Sequence, residues 1–337
     1  MINSLAEADD TMAPVISIIV PTRNRPALLE KALFAIASQT YRDFEVIVVD
    51  DGSEPATHAD YAALWSSLDH RFRLHPVGGD SIKGVGPSVT RNFGMALARG
   101  DIIAFCDDDD FWTASEHLNT IATTFATTPA IDMYIANQTG VSARGVEIAD
   151  WMKQLNDVLA RRASRPAAGG SVTIEELCSA GGFAHLNILA VRKSVALEAG
   201  GFWERVGYEE DRDFFWRAAD CSDRIYFNPA IIGQHNIPDP KRMDNQSTQH
   251  SRVERWLLAC LVCQHISTSV SDLSIAGLAR RYEGDLLRKL ALHFGEQGQA
   301  MRAADYGRKA LAARFSIKWA IYLVALSYKA FSAKRNQ

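Results

Sequence analysis

The sequence predicts an α/β fold: a mostly parallel central sheet flanked by helices, with an α-helical C-terminal extension. Three observations carry that prediction. Val15–Val20, Glu45–Val49 and Ile102–Cys106 are continuous apolar runs rich in β-branched residues, the pattern of strands buried on both faces. Each run stops at a polar loop with helical patterning between runs, so the connections read as right-handed strand, helix, strand units. From Arg252 onward the pattern is helical, in several short helices separated by Ser, Asp or Gly turns.

A chain of 337 residues is long for one core, so we expect a disordered lead over 1–13, a main domain over 14–250 and a helical region over 251–337. No apolar run approaches the roughly 20 residues of a membrane span, and the first dozen residues lack a basic, apolar leader pattern. The expectation is a protein made and kept in the cytoplasm. Five cysteines without framework spacing suit a reducing compartment. Cys260, Cys263 and His265 lie in the apolar helical stretch Trp256–Ile266 and read as core packing rather than zinc ligands. The net charge of -4 hides an asymmetry: residues 251–337 hold 14 Lys and Arg against 6 Asp and Glu. That basic region lacks interleaved aromatics or a nucleic-acid motif, which argues against nucleic acid as a partner.

Taken in order, Val15–Val20 ends at Pro21-Thr22-Arg23-Asn24-Arg25-Pro26, and a helix follows with Leu28, Leu29, Leu33 and Ile36 on one side. Glu45–Val49 is closed by Asp50-Asp51-Gly52-Ser53, acids placed where open parallel sheets bind ligands. Asp51 is suited to accept hydrogen bonds from a base or ribose; the bland alternative is a turn with Asx chemistry. No Gly-x-Gly-x-x-Gly follows the first strand, which weakens a nicotinamide or flavin reading. Arg71–His75 reads as a third strand, and Ser88–Ala98 as a helix after a glycine-rich loop. Arg91, in its first turns, is either a surface residue or an anion ligand.

The densest signal is Phe105-Cys106-Asp107-Asp108-Asp109-Asp110-Phe111-Trp112, where a buried strand delivers four consecutive carboxylates. Such groups repel by about 1 kcal/mol or more per pair even in a water-like dielectric. A fold keeps them when something positive sits among them, and Mn2+ or Mg2+ bridging carboxylate to phosphate is the usual occupant. Beyond Trp112, Ile131–Ala136 reads as a strand, Trp151–Arg162 as an amphipathic helix, 165–170 as a mobile loop and Leu186–Val191 as apolar again. Tyr208-Glu209-Glu210-Asp211-Arg212-Asp213 then opens an aromatic-rich helix, more acid than capping alone explains. His235 ends another apolar run, and the polar stretch 236–247 has the composition of a lid.

These segments together resemble the family-2 glycosyltransferases of the GT-A fold, which move a sugar from a nucleotide diphosphate with inversion. Residues 15–53, 84–112 and 198–217 carry the likeness in the family's order, over roughly the first 240 residues. The resemblance implies a nucleotide-binding half over 14–112 and an acceptor half over 113–250. It implies that Pro21, Thr22 and Asn24 line the nucleotide pocket, that Asp51 meets the base, that Arg91 contacts base or phosphate, and that Asp107 and Asp108 serve the ribose and diphosphate. Asp109 is the metal ligand of the Asp-x-Asp pattern, joined by His235 unless that residue is a structural histidine. Asp211 is the catalytic base, with Glu210 and Trp112 assigned to the acceptor side or to support. The expected donor is a UDP-sugar and the expected acceptor a glycan or lipid-linked hydroxyl, in bacterial surface polysaccharide assembly. Processive members carry Gln-x-x-Arg-Trp, whereas Arg252 precedes Arg255-Trp256 here, so single addition is expected. A haloacid-dehalogenase-type phosphatase also places Asp-x-Asp after a strand but wants Thr or Val two residues after the second Asp. A non-catalytic nucleotide-sugar binder is the other alternative. The last helix, Phe315–Phe331, either touches the inner membrane surface as a peripheral contact or packs on this chain or a second copy.

Overall fold

In the computed structural model, which describes residues 13–78, 84–128, 130–162, 169–237 and 250–335, the apolar runs form the strands that the core is built on. The first half reads β1 (Ile16–Thr22), α1 (Pro26–Ala37), β2 (Phe44–Asp50), α2 (His58–Trp65), β3 (Phe72–Pro76), α3 (Pro87–Leu97), β4 (Ile102–Phe105), β5 (Phe111–Trp112) and α4 (His117–Thr127). The second half continues with β6 (Met133–Ser142), β7 (Gly145–Ile148), α5 (Lys153–Arg162), β8 (Gly170–Val172), α6 (Ile174–Ala180), β9 (Leu189–Arg192), α7 (Lys193–Glu198), α8 (Glu210–Asp220) and β10 (Ile225–Asn236). Four helices follow: α9 (Arg252–Ser269), α10 (Leu273–Glu296), α11 (Ala300–Ala313) and α12 (Ile317–Arg335).

One sheet holds all ten strands, in the order β3-β2-β1-β4-β9-β6-β10-β5, with β7 on β6 and β8 on β10. β3, β2, β1 and β4 pair in parallel, β9 runs antiparallel between β4 and β6, and β10 returns parallel to β6. The mostly parallel sheet expected from the sequence is therefore present, and so is the helical extension. Every residue of β2 is buried, which is why its sequence shows no alternation. Gly94 lets α3 lie close against β1 and β2, since a Cβ there would stand 2.6 Å from Ile19 Cγ2. In α1 the buried face is Leu29, Ala32, Leu33 and Ile36, while Leu28 turns outward.

The C-terminal region is made of longer helices than the sequence suggested, α10 running 24 residues without a break. Its apolar side is continuous with the sheet's core, because Cys260, Cys263, Ile266 and Leu287 belong to the same buried cluster as Ile19 and Phe105. Burial pushes the Cys260 thiol up to about 12, the behaviour of a packing residue, and His265 turns instead to Asp213. Trp319 points inward, its indole N–H donating to the Gly307 carbonyl at 3.0 Å, and Leu323 and Leu326 are buried beside it. Ile317, Ile321 and Val324 occupy the opposite, exposed face of α12. Among the described residues no helix is long and apolar enough to cross a membrane. Most of the expected 165–170 loop and of the expected lid lies outside the described residues.

Candidate active site

The carboxyl ends of β1, β2 and β4 open onto one cleft of about 690 Å³, as an open parallel sheet dictates. Thr22 and Asp51 lie at the ends of the first two strands, and the four acids follow β4. The far wall is the start of α8, where Glu210 and Asp211 occupy the first turn.

The four acids differ in their surroundings. Arg91, itself buried, donates to Asp107 Oδ1 at 2.6 Å and to Glu210 Oε1 at 3.0 Å, tying the end of β4 to the start of α8. Burial alone would raise the Asp107 carboxyl, but the Arg91 guanidinium and the nearby imidazoles outweigh it and hold the group below the usual range. Asp108 accepts from Thr22 Oγ1 at 2.8 Å and from Arg25 at 3.1 Å, and Asp109 meets the same Arg25 at 3.3 Å. Burial pushes Asp108 up to about 6 despite those partners. Asp109 rises to about 8 through burial and then the repulsion of Asp110, Asp108 and Asp107.

Asp110 is fully buried and meets His235 Nδ1 at 3.0 Å and the Asn236 backbone N–H at 2.8 Å. This contact spans 125 residues and exists because β5 pairs antiparallel with β10, Gly233 opposite Trp112 and Gln234 opposite Phe111. His185 comes from the loop before β9, with Nδ1 3.5 Å from Asp110 Oδ2 and its ring 4.2 Å from that of His235. Trp151 stands edge-on to both rings. Asp110, His185 and His235 each offer a ligand atom within 4.8 Å of the others. The His185 Nδ1 is buried and makes no hydrogen bond, so this carboxylate and imidazole set fits a divalent transition cation. Burial lowers the His185 pKa, whereas for His235 burial is outweighed by the Asp110 carboxylate and the pKa is raised.

At the end of the cleft beside β2 the Asp51 carboxylate accepts the Val85 N–H at 2.6 Å and the Gly86 N–H at 3.0 Å. Gly84, at φ +64°, is required beside it: a Cβ would stand 2.5 Å from Asp51 Oδ2. Asn24 also has a positive φ, of 55°, and its Oδ1 accepts the Glu54 N–H at 2.7 Å, joining the loops after β1 and β2. Pro21, Thr22, Asn24, Asp51, Arg91 and Asp107–Asp109 all reach the cleft, as do Glu210, Asp211 and His235. Trp112 does not; it is buried behind, donating its indole N–H to the Asn187 carbonyl at 2.9 Å. Sequence reasoning missed His185, Trp151 and the pairing of Arg25 with Asp108 and Asp109. It also chose Asp109 over Asp110 as the acid beside His235. No local pattern marks His185, a single imidazole ahead of an apolar stretch.

Residues 17–156 match the family model described as Glycosyl transferase family 2. The GalNAc(5)-diNAcBac-PP-undecaprenol beta-1,3-glucosyltransferase of Campylobacter jejuni is 39% identical over 97 residues, covering 29% of this chain and 30% of that protein. The chain thus spans under a third of that relative's length. Among solved structures, residues 1–349 of S. aureus TarS in complex with UDP-GlcNAc superpose with a TM-score of 0.64 at 19% identity, over 89% of this chain and 82% of that one. The mannosyltransferase PcManGT of Pyrobaculum calidifontis, in complex with GDP-Man and Mn2+, gives 0.56 at 20% identity over 96% and 82%. At these identities the structures establish the shared fold.

Proposed function

We propose that the chain, whose residues 17–156 match the model of glycosyl transferase family 2, transfers a single sugar from a nucleotide-diphospho-sugar to an acceptor hydroxyl with inversion. The observation that carries this reading is that one cleft holds both ends of the chemistry. The acids after β4 and Arg25 form one end, and Asp211, at the N-terminal turn of α8, forms the other. Asp211 takes the proton of the acceptor hydroxyl as it attacks the anomeric carbon from the side opposite the leaving diphosphate. Its Oδ1 accepts the Arg212 N–H at 2.8 Å, which sets the side chain's orientation. Pro21, Thr22, Asn24 and Asp51 frame the nucleoside, and Asp107 and Asp108 are oriented by Arg91, Thr22 and Arg25 to receive ribose and diphosphate.

Asp110, His185 and His235, with Asp109 of the same turn facing the cleft, would hold Mn2+ or Mg2+. When bound, such an ion supplies Lewis-acid stabilisation of the charge that builds on the departing diphosphate. A UDP-sugar is the favoured donor, supported by the UDP-GlcNAc in the TarS complex. A glycan or lipid-linked acceptor in surface polysaccharide assembly is supported by the PP-undecaprenol in the Campylobacter relative's name. A dehalogenase-type phosphatase would need Asp107 as a nucleophile, a role its ion pair with Arg91 opposes. The test is Asp211→Asn: donor binding should survive, measured by calorimetry with UDP-sugars and Mn2+, while transfer falls by about 10²-fold or more. Wild-type transfer by that variant would remove Asp211 from the mechanism. Absence of donor turnover in the wild type would leave only a nucleotide-sugar binder.

A further inference from the structure

The residue that enters α8 carries a conformation that its type disfavours. Glu209 has φ 58° and ψ 27°, the left-handed region that costs a side-chain-bearing residue and that glycine would occupy freely. Its side chain explains why it is kept there. Oε1 accepts the Tyr282 hydroxyl of α10 at 2.9 Å, and Oε2 accepts Arg212 Nε at 3.0 Å. The Arg212 guanidinium lies over the rings of Phe183, at 4.3 Å, and Tyr282, at 4.6 Å.

Two more contacts hold the same helix from the same side. Asp213 is fully buried and accepts His265 Nδ1 of α9 at 2.6 Å, while Arg217 occupies its other oxygen. His265 is in turn stacked on Trp203, 3.9 Å away and nearly coplanar. At the far end Asp220 accepts the backbone N–H groups of Ser271 and Asp272, in the turn between α9 and α10, at 2.8 and 2.7 Å. Thus α8 is tied at the residue that enters it, in its first turn and at its end by the C-terminal helices, and Asp211 lies between the first two ties.

We propose that α9 and α10 are part of the catalytic unit, and that Tyr282, acting through Glu209, is a positioning residue that sets Asp211 against the acceptor. The proposal rests on the reading of Asp211 as the base. The geometry requires it to work through the first turn of α8. The Glu209 carbonyl accepts the Asp213 N–H at 3.2 Å, so a rotation at Glu209 moves the turn that contains Glu210 and Asp211. The donor end of the cleft is built on β1, β2 and β4 and meets this turn through Arg91, which bonds Glu210 as well as Asp107. Loss of the tie should therefore act on turnover more than on donor affinity.

Tyr282→Phe keeps the ring over Arg212 and deletes only the hydroxyl. Glu209→Gly keeps the left-handed backbone free of strain and deletes the tether. Both are made singly and together in the full chain and assayed with whichever of UDP-GlcNAc, UDP-glucose and GDP-mannose the wild type turns over fastest. Each single variant should lose about 10-fold or more in kcat with donor KM within twofold, and the double variant should be no worse than Glu209→Gly, because that change already cuts the link to Tyr282. Hydrogen exchange at the amides of residues 211–214 should quicken in Tyr282→Phe while that of β1 and β4 stays unchanged. Wild-type kcat in Tyr282→Phe, or losses that multiply in the double variant, would overturn the proposal. Asp211→Asn is run alongside. If it is inactive while Tyr282→Phe is not, the tie alone fails; if it turns over at the wild-type rate, the base assignment fails and the positioning role with it.

Discussion

Replacing Arg91 with Met should expose how much of the site depends on one buried cation. Its guanidinium spans carboxylates 2.6 and 3.0 Å away, one on the loop after β4 and one on α8, with all three side chains largely removed from water. Burial alone would lower the guanidinium pKa; Asp107 and then Glu210 outweigh it and raise it. Each pair at about 4 Å and an effective dielectric near 20 is worth about 4 kcal/mol before desolvation is subtracted. Methionine keeps the length and removes the charge, leaving two buried carboxylates unpaired, and breaking a buried pair in that way costs about 3–5 kcal/mol. The pH dependence follows from the same geometry. Without Arg91 the folded-state pKa of Asp107 rises above its unfolded value and that of Glu210, already raised by burial, rises further, so the folded state takes up protons more readily. The stability lost with the cation is then fully missing at pH 8 and returns as the pH falls through those raised values. Urea unfolding of wild type and variant at pH 8 and pH 5 should give a deficit of about 3–5 kcal/mol at the higher pH and about half that at the lower. A deficit under about 1 kcal/mol at pH 8, or one that grows on acidification, would refute the reasoning.

Three further outcomes are expected. Asp110→Asn should bind Mn2+ at least 10-fold more weakly by electron paramagnetic resonance while circular dichroism stays unchanged; undiminished binding would move the cation site off this cluster. His117 is buried against Trp112, at 4.8 Å between ring centroids, and burial drives its pKa down to about 3. A depressed histidine contributes stability that is complete above the unfolded value near 6.5 and is lost as the pH falls. His117→Leu should therefore remove about 2.5 kcal/mol of the destabilisation that wild type suffers between pH 7 and 4.5, and parallel acid limbs in urea titrations would contradict this. The peripheral-membrane reading of α12 now rests on Ile317, Ile321 and Val324, since residues 306–337 carry seven Lys or Arg and no Asp or Glu. Full-length protein should sediment with anionic vesicles at low salt and the triple Glu variant at those positions should not; if neither does, the face belongs to a protein contact.

What could be read from the sequence was local, and what could not was made by distant pairings. β1, β2 and β4 announced themselves because a strand buried on both faces is apolar through most of its length, Ser17 and Glu45 being the internal exceptions, and their carboxyl ends fixed where the acids would gather. The acid-rich start of α8 was legible for the same reason. The partner of Asp110 was not, because it is delivered by β5, a strand of two residues whose pairing with β10 has no signature of its own. The sequence left the inward turn of Trp319 open, with packing and membrane contact as the two alternatives. A tryptophan between basic residues reads as interfacial until a carbonyl such as that of Gly307 is found to satisfy its N–H. Glu209 was counted as one more acid, since sequence carries no mark of a left-handed residue that is not glycine.

The run of four aspartates poses an electrostatic problem that the fold solves by giving neighbouring acids different surroundings. Two are neutralised by cations from the first half of the chain: Asp107 by Arg91 of α3, and Asp108 by Arg25 from the loop after β1. Asp110 is satisfied from the second half, by His235 and the Asn236 N–H. Asp109 shares Arg25 with Asp108 and is pushed up to about 8. An acid held that far above its ordinary value is short of positive charge, and a diphosphate entering the cleft would deepen the shortage. On the proposed function a donor would then arrive with, or after, an added cation, because Arg25 is already committed to two carboxylates. The same imbalance explains why the site is walled by α8 on the far side. Arg91 can serve Asp107 fully only by also answering Glu210, so the charge pattern of the donor end fixes where the helix bearing Asp211 must begin.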